Sequence, residues 1–175
     1  MIRGRGLGGR AARAVQDRPP VRRLLRRVGR WASVRAARPA DRAQCLRLLG
    51  RAAEPDAGAR RLYVAAVGPL VLGAVPVNDV GRDPIDGWFV GLLRVRTAAR
   101  GMGLGERLLR RAEADARAGG APSLWGIVTV GNTPMERLAA KVGLAPFTTP
   151  ALRERLGRLE REFGVRRTYL RKDLM

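Results

Sequence analysis

Apolar residues recur along the chain with two different periods, which predict strands and helices in turn. Runs rich in Val, Leu, Ile and Trp predict six strands: Trp31–Ala37, Leu62–Val67, Leu70–Val77, Trp88–Val95, Leu124–Val130 and Val165–Leu174. Apolar residues three and four apart predict helices, whose apolar stripes run over 43–49, 104–116, 135–142 and 152–163. Gly68-Pro69 between the second and third strands predicts a hairpin turn. The order of these elements predicts one α/β domain.

One junction between a strand and a helix carries a distinctive composition. The segment Arg100–Gly105 holds three glycines and stands just before the helical stripe that begins at Leu104. The first N–H groups of a helix lack intrahelical partners, and the helix dipole favours negative charge there. Glycine lets an anion approach without meeting a Cβ, and Arg100 adds a positive charge. We interpret the segment as a cradle for a diphosphate; the alternative is a tight turn with incidental glycines.

The spacing of these glycines excludes two common nucleotide-binding motifs. Counted from Gly101, the last position of G-x-G-x-x-G is Glu106, and the Gly-Lys pair of a P-loop does not occur in the chain. The segment does match R-x-x-G-x-G through Arg100, Gly103 and Gly105. This pattern resembles the acyl-CoA-binding motif of the GCN5-related N-acetyltransferases (GNAT).

A second motif strengthens the resemblance. The strand Leu124–Val130 leads through Asn132 into a helix for which Thr133 is the predicted N-cap and Glu136 the partner in a capping box. The helix ends at Lys141-Val142-Gly143-Leu144. The same family has a strand, an Asn, a helix and a K-x-G-[FL] ending in this order.

The resemblance implies a fold, a cofactor and a reaction. The fold would be a mixed, mostly antiparallel sheet with helices on both faces and one splayed pair of parallel strands. The reaction would move an acetyl group from acetyl-CoA to an amine of a small molecule or peptide by direct attack. By resemblance, the residues that bind acetyl-CoA would be Leu93, Val95, Arg100, Gly101, Met102, Gly103, Leu104, Gly105 and Asn132.

The catalytic acid and base stay unassigned. Family members often carry a Glu on the strand before the glycines, but Trp88–Leu93 holds no carboxylate, and Asp86 just upstream is the candidate base. Many members place a Tyr where this chain has Ala139, and a methyl group transfers no proton. Tyr169 on the last strand is the candidate acid, with packing as its alternative role.

Composition narrows the remaining possibilities. The chain has no histidine, which excludes histidine-based zinc sites and Ser-His catalysis, and no metal site is expected. Its single cysteine, Cys45, lies on the apolar stripe of a helix and fits a reducing, cytoplasmic location. The run Leu62–Val77 is shorter than the ~20 residues that a membrane span needs.

Positive charge is concentrated at the N-terminus. The formal net charge is +20, and residues 1–30 form a predicted disordered basic tail ahead of an acetyltransferase-like domain over residues 31–175. Arginine-rich chains are typical of GC-rich genomes, and a polyanion partner is the alternative source of this charge. Two further hypotheses therefore accompany the enzyme: a non-catalytic acyl-CoA-binding module and an arginine-rich protein that binds RNA or the ribosome.

Overall fold

The computed structural model describes residues 29–50, 60–79 and 85–175. Its strands are β1 (Ser33–Ala36), β2 (Arg60–Val67), β3 (Leu70–Asn78), β4 (Trp88–Val90), β5 (Arg94–Val95), β6 (Ser123–Thr129), β7 (Ala145–Phe147) and β8 (Arg167–Asp173). They form one sheet in the order β1-β2-β3-β4-β6-β8-β7, and β5 pairs with β3. Within the described residues, β4 and β6 are parallel and every other pair is antiparallel. The predicted mixed, mostly antiparallel sheet is confirmed.

In the described part of the chain, the two faces of the sheet are covered by the α-helices α1 (Arg42–Leu49), α2 (Leu104–Ala118), α3 (Thr133–Lys141) and α4 (Pro150–Phe163). The helices α2 and α3 share a buried cluster with one face of the sheet. On the opposite face, α1 packs over β2 and β3, and α4 packs over β6 and β8. We call these the α2 face and the α1 face. Helices on both faces are thus confirmed.

The apolar stripe of α2 explains why this helix lies at the centre of the fold. All five residues that the sequence places on the stripe are 0–1% exposed: Leu104, Leu108, Leu109, Ala112 and Ala116. They pack against the strands of the α2 face. The predicted hairpin is also present, since β2 and β3 pair up to the turn between Val67 and Leu70.

The predicted strand Trp88–Val95 is interrupted. Val90 pairs with Val77 and Arg94 pairs with Ala74, so the fourth strand uses one residue more than β3 over this stretch. This extra residue is a β-bulge over residues 91–93, and it divides the predicted strand into β4 and β5. The bulge begins where the Gly91 N–H donates to the Pro76 carbonyl at 2.9 Å.

Two other differences concern short segments. The sequence pattern missed β7, because three residues with a proline in the middle give no strand signal. Residues 1–28 of the predicted tail, which spans 1–30, lie outside the described residues, as do 51–59 and 80–84. In the part that is described, no helix combines the length and apolarity needed to cross a membrane.

Candidate functional site

The site begins where two parallel strands separate. β4 and β6 are paired from Trp88 and Leu124 as far as Val90 and Gly126. Beyond that point β5 pairs only with β3 and the rest of β6 only with β8, among the described strands. The two strands therefore present unpaired backbone edges to a gap between them. Such edges offer N–H and C=O groups to any ligand that carries amides.

The glycine segment lies at the end of this gap, next to α2. Gly101 and Gly103 have φ angles of +80° and +72°, and no atom lies within 4 Å of where a Cβ would stand on either residue. Among the described residues, the N–H groups of residues 101–106 have no backbone acceptor, and the first bond into the helix is from Arg107 N–H to the Gly103 carbonyl. These free donors and open space fit a diphosphate.

The N-terminus of α2 also differs from those of the later helices. Its N-cap, Gly103, has no side chain to accept a backbone N–H. In α3 and α4, the side chains of Asn132 and Thr149 accept from Met135 N–H and Leu152 N–H. Because this 15-residue helix begins without a side-chain cap, the partial positive charge at its N-terminus is available to an anion.

The surroundings keep the segment accessible and supply positive charge. Arg100, Gly101 and Gly103 are exposed, and the Arg100 Nε donates to the Val95 carbonyl at 3.3 Å, which anchors the guanidinium beside β5. Met102 is half-buried and packs against Gly29. The rim of the segment is therefore built by residues far apart in the sequence.

Asn132 lies on the same side of the sheet as the glycine segment. Its helix, α3, packs beside α2, since a Cβ on Gly105 would come within 3.0 Å of Leu138 Cδ2 and 3.5 Å of Leu93 Cδ2. The prediction that Thr133 is the N-cap is wrong: Asn132 is the N-cap, and its Oδ1 accepts from Met135 N–H at 3.4 Å. The Asn132 amide nitrogen stays available as a donor.

A pair of charges joins the two helices beside the segment. Lys141 Nζ lies 2.7 Å from Glu106 Oε2, and Arg110 Nη2 lies 3.1 Å from Glu106 Oε1. The ammonium of Lys141 and the guanidinium of Arg110 lower the pKa of Glu106. Sequence reasoning assigned no role to Glu106, because its main partner is on another helix.

The two candidate catalytic residues lie in different surroundings. Asp86 is exposed and precedes β4, whereas the two strands separate after Val90, at the other end of β4. Tyr169 is fully buried and packs with Trp125 and with Leu152 of α4. Its burial supports the packing role.

Ala139, at the position where many family members have a tyrosine, is buried. Ala139 is 1% exposed and belongs to the cluster under α2. The Tyr63 hydroxyl donates a hydrogen bond to Asp115 Oδ2 at 2.7 Å. Burial, and to a lesser extent this hydrogen bond, raises the pKa of Tyr63. Neither residue presents an acid to the gap.

Neither a metal site nor the cavity beside β2 involves the predicted residues. Among the described residues, no group of three or more metal-ligating side chains occurs. A cavity of about 520 Å³ lies beside the first residues of β2, between Tyr63, Arg111 and the start of α1. It shares no residue with the glycine segment. The gap and the glycine segment thus remain the place where the predicted residues meet.

Comparison with known proteins decides the family. The sequence model of the acetyltransferase (GNAT) family matches residues 31–144, which is more than half of the chain and includes the gap, the glycine segment and α3. The chain belongs to the GNAT acetyltransferase family. The predicted resemblance is confirmed. A search of curated protein sequences gives no match.

Solved GNAT structures have the same fold at low identity. YncA from Salmonella typhimurium, solved with its cofactor acetyl-CoA, is 18% identical, covers 82% of this chain and 94% of its own, and superposes with a TM-score of 0.62. The ribosomal-protein-alanine N-acetyltransferase from Brucella melitensis is 18% identical, covers 81% and 99%, and gives 0.60. An N-acetyltransferase from Staphylococcus aureus is 16% identical, covers 82% and 99%, and gives 0.62.

Proposed function

We propose that this GNAT protein transfers an acetyl group from acetyl-CoA to an amine. The observation that carries the proposal is the row of unpartnered N–H groups over residues 101–106, placed at the end of a gap with two open strand edges. A long thioester with a diphosphate at one end and amides along its arm matches both features. The complex of yncA with acetyl-CoA adds support through the shared fold.

Each predicted binding residue has a role in this proposal. The N–H groups of Gly101 to Gly105 hold the diphosphate, and Arg100 neutralises part of its charge. The open edge of β5, with Leu93 and Val95, pairs with the amides of the arm. Asn132 donates to the arm from the side of α3. Acetyl-CoA supplies the acetyl group as an activated thioester.

The chemistry needs no nucleophile from the protein. The unprotonated amine attacks the thioester carbonyl carbon, a C–N bond forms and the C–S bond breaks. The amine gives up one proton, and the sulfur takes one or leaves as thiolate. A backbone N–H near Leu93, in the bulge, stabilises the charge that develops on the carbonyl oxygen.

The missing acid and base set a condition on the acceptor. A lysine-like amine with a pKa near ~10.4 is almost fully protonated at neutral pH, whereas an α-amine near ~7.8 is partly free. The described residues place no carboxylate at the gap, so water is the expected acceptor of the proton. The enzyme is therefore expected to favour amines of low pKa, with a rate that rises with pH as the amine deprotonates.

The experiment has two parts. Acetyl-CoA should raise the melting temperature, and some member of a panel of amino acids, peptides, aminoglycosides and polyamines should release free CoA thiol. Gly103→Glu places a carboxylate in the proposed diphosphate site and should abolish both effects. Failure of acetyl-CoA to bind the wild-type protein would refute the proposal.

A non-catalytic acyl-CoA-binding module is the second candidate. The burial of Ala139 and Tyr169 favours it, because neither position gives the gap a proton donor. This candidate predicts the same thermal shift with acetyl-CoA and the same loss in Gly103→Glu. It differs in predicting no thiol release with any amine at any pH between 6 and 9.5.

A further inference from the structure

The strand register fixes the side of the sheet on which Arg94 lies. Arg94 pairs with Ala74, and Ala74 packs in the cluster under α1. Residues directly opposite each other on antiparallel strands share a face. The next residue, Val95, lies on the α2 face, since a Cβ on its partner Gly73 would come 3.1 Å from Val95 Cγ2 and 3.3 Å from Leu108 Cδ1. Arg94 therefore projects on the α1 face, beside the gap.

The charge of Arg94 is not committed to another group. Arg94 is exposed, and no described residue forms an ion pair or a side-chain hydrogen bond with it. The neighbouring arginines are held: Arg96 Nε donates to the Val71 carbonyl at 2.6 Å, and Arg100 Nε donates to Val95. A free guanidinium next to a reaction site is available to a ligand.

Across the gap, the same face presents apolar side chains, and two arginines there, Arg167 and Arg171, lie over the rings of Phe163 and Phe147. Ile127 of β6 is 38% exposed and lies opposite Tyr169, a member of the cluster under α4. Next to it, the rings of Phe89 and Trp125 are 4.6 Å apart. An acceptor that enters from this face therefore meets apolar side chains together with the guanidinium of Arg94.

The surrounding charge opposes a simple cationic amine. Arg96 projects toward α1, where its Nη2 lies 3.4 Å from Gln44 Oε1. Burial and the nearby charge of Arg47 lower the pKa of Arg96. Arg96 is two residues from Arg94 along the extended chain, so a second guanidinium projects on the same face. A ligand that is only an ammonium would be repelled, whereas a ligand with a carboxylate would be attracted.

We propose that the acceptor is an amino acid with an apolar side chain. Its carboxylate would pair with the Arg94 guanidinium in a bidentate fashion, and its side chain would lie against Ile127 and Phe89. This arrangement directs the α-amine to the gap where the thioester lies. The positive charges of Arg94 and Arg96 lower the pKa of that amine, which partly compensates for the missing base. The inference rests on the proposed acetyl transfer and names its substrate class.

The test compares acceptors that differ only in the carboxylate. Leucine and 3-methylbutylamine form one pair, and phenylalanine and 2-phenylethylamine form another. In the CoA-release assay, each amino acid should have a kcat/KM at least tenfold above that of its decarboxylated partner, mainly through a lower KM. Calorimetry with CoA present should detect binding of leucine and not of 3-methylbutylamine.

Arg94→Gln tests the residue itself. It should raise KM for leucine at least tenfold, leave kcat for leucine within about threefold, and change kcat/KM for 3-methylbutylamine by less than twofold. Arg42→Gln, an exposed arginine on the α1 face without a described side-chain partner, serves as the control and should change none of these values.

Three results would overturn the inference. The first is equal or better use of the decarboxylated amines, and the second is an Arg94→Gln variant that retains the preference for leucine. The third is acetyl-CoA binding without thiol release from either amino acid. A failure of the acetyl-transfer proposal is distinct, because acetyl-CoA itself would then fail to bind.

Discussion

Lys141 at the end of α3 holds Glu106 in the first turn of α2 at an N–O distance of 2.7 Å. Glu106 thus carries a negative charge beside the free N–H groups proposed to hold the diphosphate. Its pairing with Lys141 and Arg110 offsets the repulsion that this carboxylate would otherwise exert on a phosphate.

Removing the ammonium should therefore weaken acetyl-CoA binding. We expect Lys141→Gln to raise the Kd by about two- to fivefold and Glu106→Gln to lower it by a similar factor. Both effects should shrink in 1 M salt, because the groups are partly exposed. Calorimetric titration at low and high salt measures them, and a change of the same sign in both variants would contradict this view of the pair.

The left-handed backbone of Gly103 gives a second prediction. Gly103→Ala should destabilise the fold by about 1–2 kcal/mol, since an L-residue is strained at φ +72°. Gly120→Ala, at φ +69° with equally open surroundings near the far end of α2, should cost about the same. Only Gly103→Ala should weaken acetyl-CoA binding; equal binding by both variants would show that the segment does not hold the diphosphate.

The ion pair of Asp41 gives a pH-dependent prediction. The Arg35 guanidinium, which donates to Asp41 Oδ2 at 2.6 Å, holds the pKa of this buried carboxyl below its usual value. A depressed pKa contributes stability that is present above the unfolded-state value of about 3.9 and is lost as the pH falls through the folded-state value.

We expect Asp41→Asn to cost about 2–3 kcal/mol at pH 7. The difference from wild type should shrink below pH 4, where Asp41 itself becomes protonated. Urea unfolding at pH 7 and at successive values down to pH 3 measures it. A difference that stays constant with pH would assign the effect to packing instead of charge.

Gly87, just before β4, lies so close to Ser123 that a side chain at this position would be destabilising. Its φ is +121°, and a Cβ there would overlap the backbone of Ser123, with 2.8 Å to the carbonyl carbon. A left-handed alanine lowers the free energy of unfolding by about 1–2 kcal/mol, and Gly87→Ala should lower it by more than this. Gly68→Ala, at φ +53° in open space, is the matched variant and should cost only that amount. Chemical denaturation compares the two.

Much of the fold could be predicted because local pattern and packing agree. The stripe from Leu104 to Ala116 is buried as its spacing predicts, and Gly164 ends α4 in a left-handed conformation at φ +64°. These features depend on neighbours within one or two turns. The position of the glycine segment at the start of α2 was predictable for the same reason.

The remaining features depend on partners distant in the sequence. The bulge after Val90 follows from the register with Pro76, which no local pattern encodes. The choice of Asn132 over Thr133 as N-cap depends on where β6 ends and how α3 leaves it. The free charge of Arg94 became visible only when its strand partner and its neighbours were placed.

The missing cap of α2 ties ligand occupancy to the integrity of the whole sheet. The helix whose first N–H groups lack acceptors is also the helix that packs on the α2 face. A ligand that binds its N-terminus therefore stabilises the folded protein as a whole. Each increment of binding energy is then an increment of folding energy. Amide hydrogens of Leu104 to Glu106 should exchange rapidly in the free protein and slowly at saturating acetyl-CoA, with protection spreading along α2.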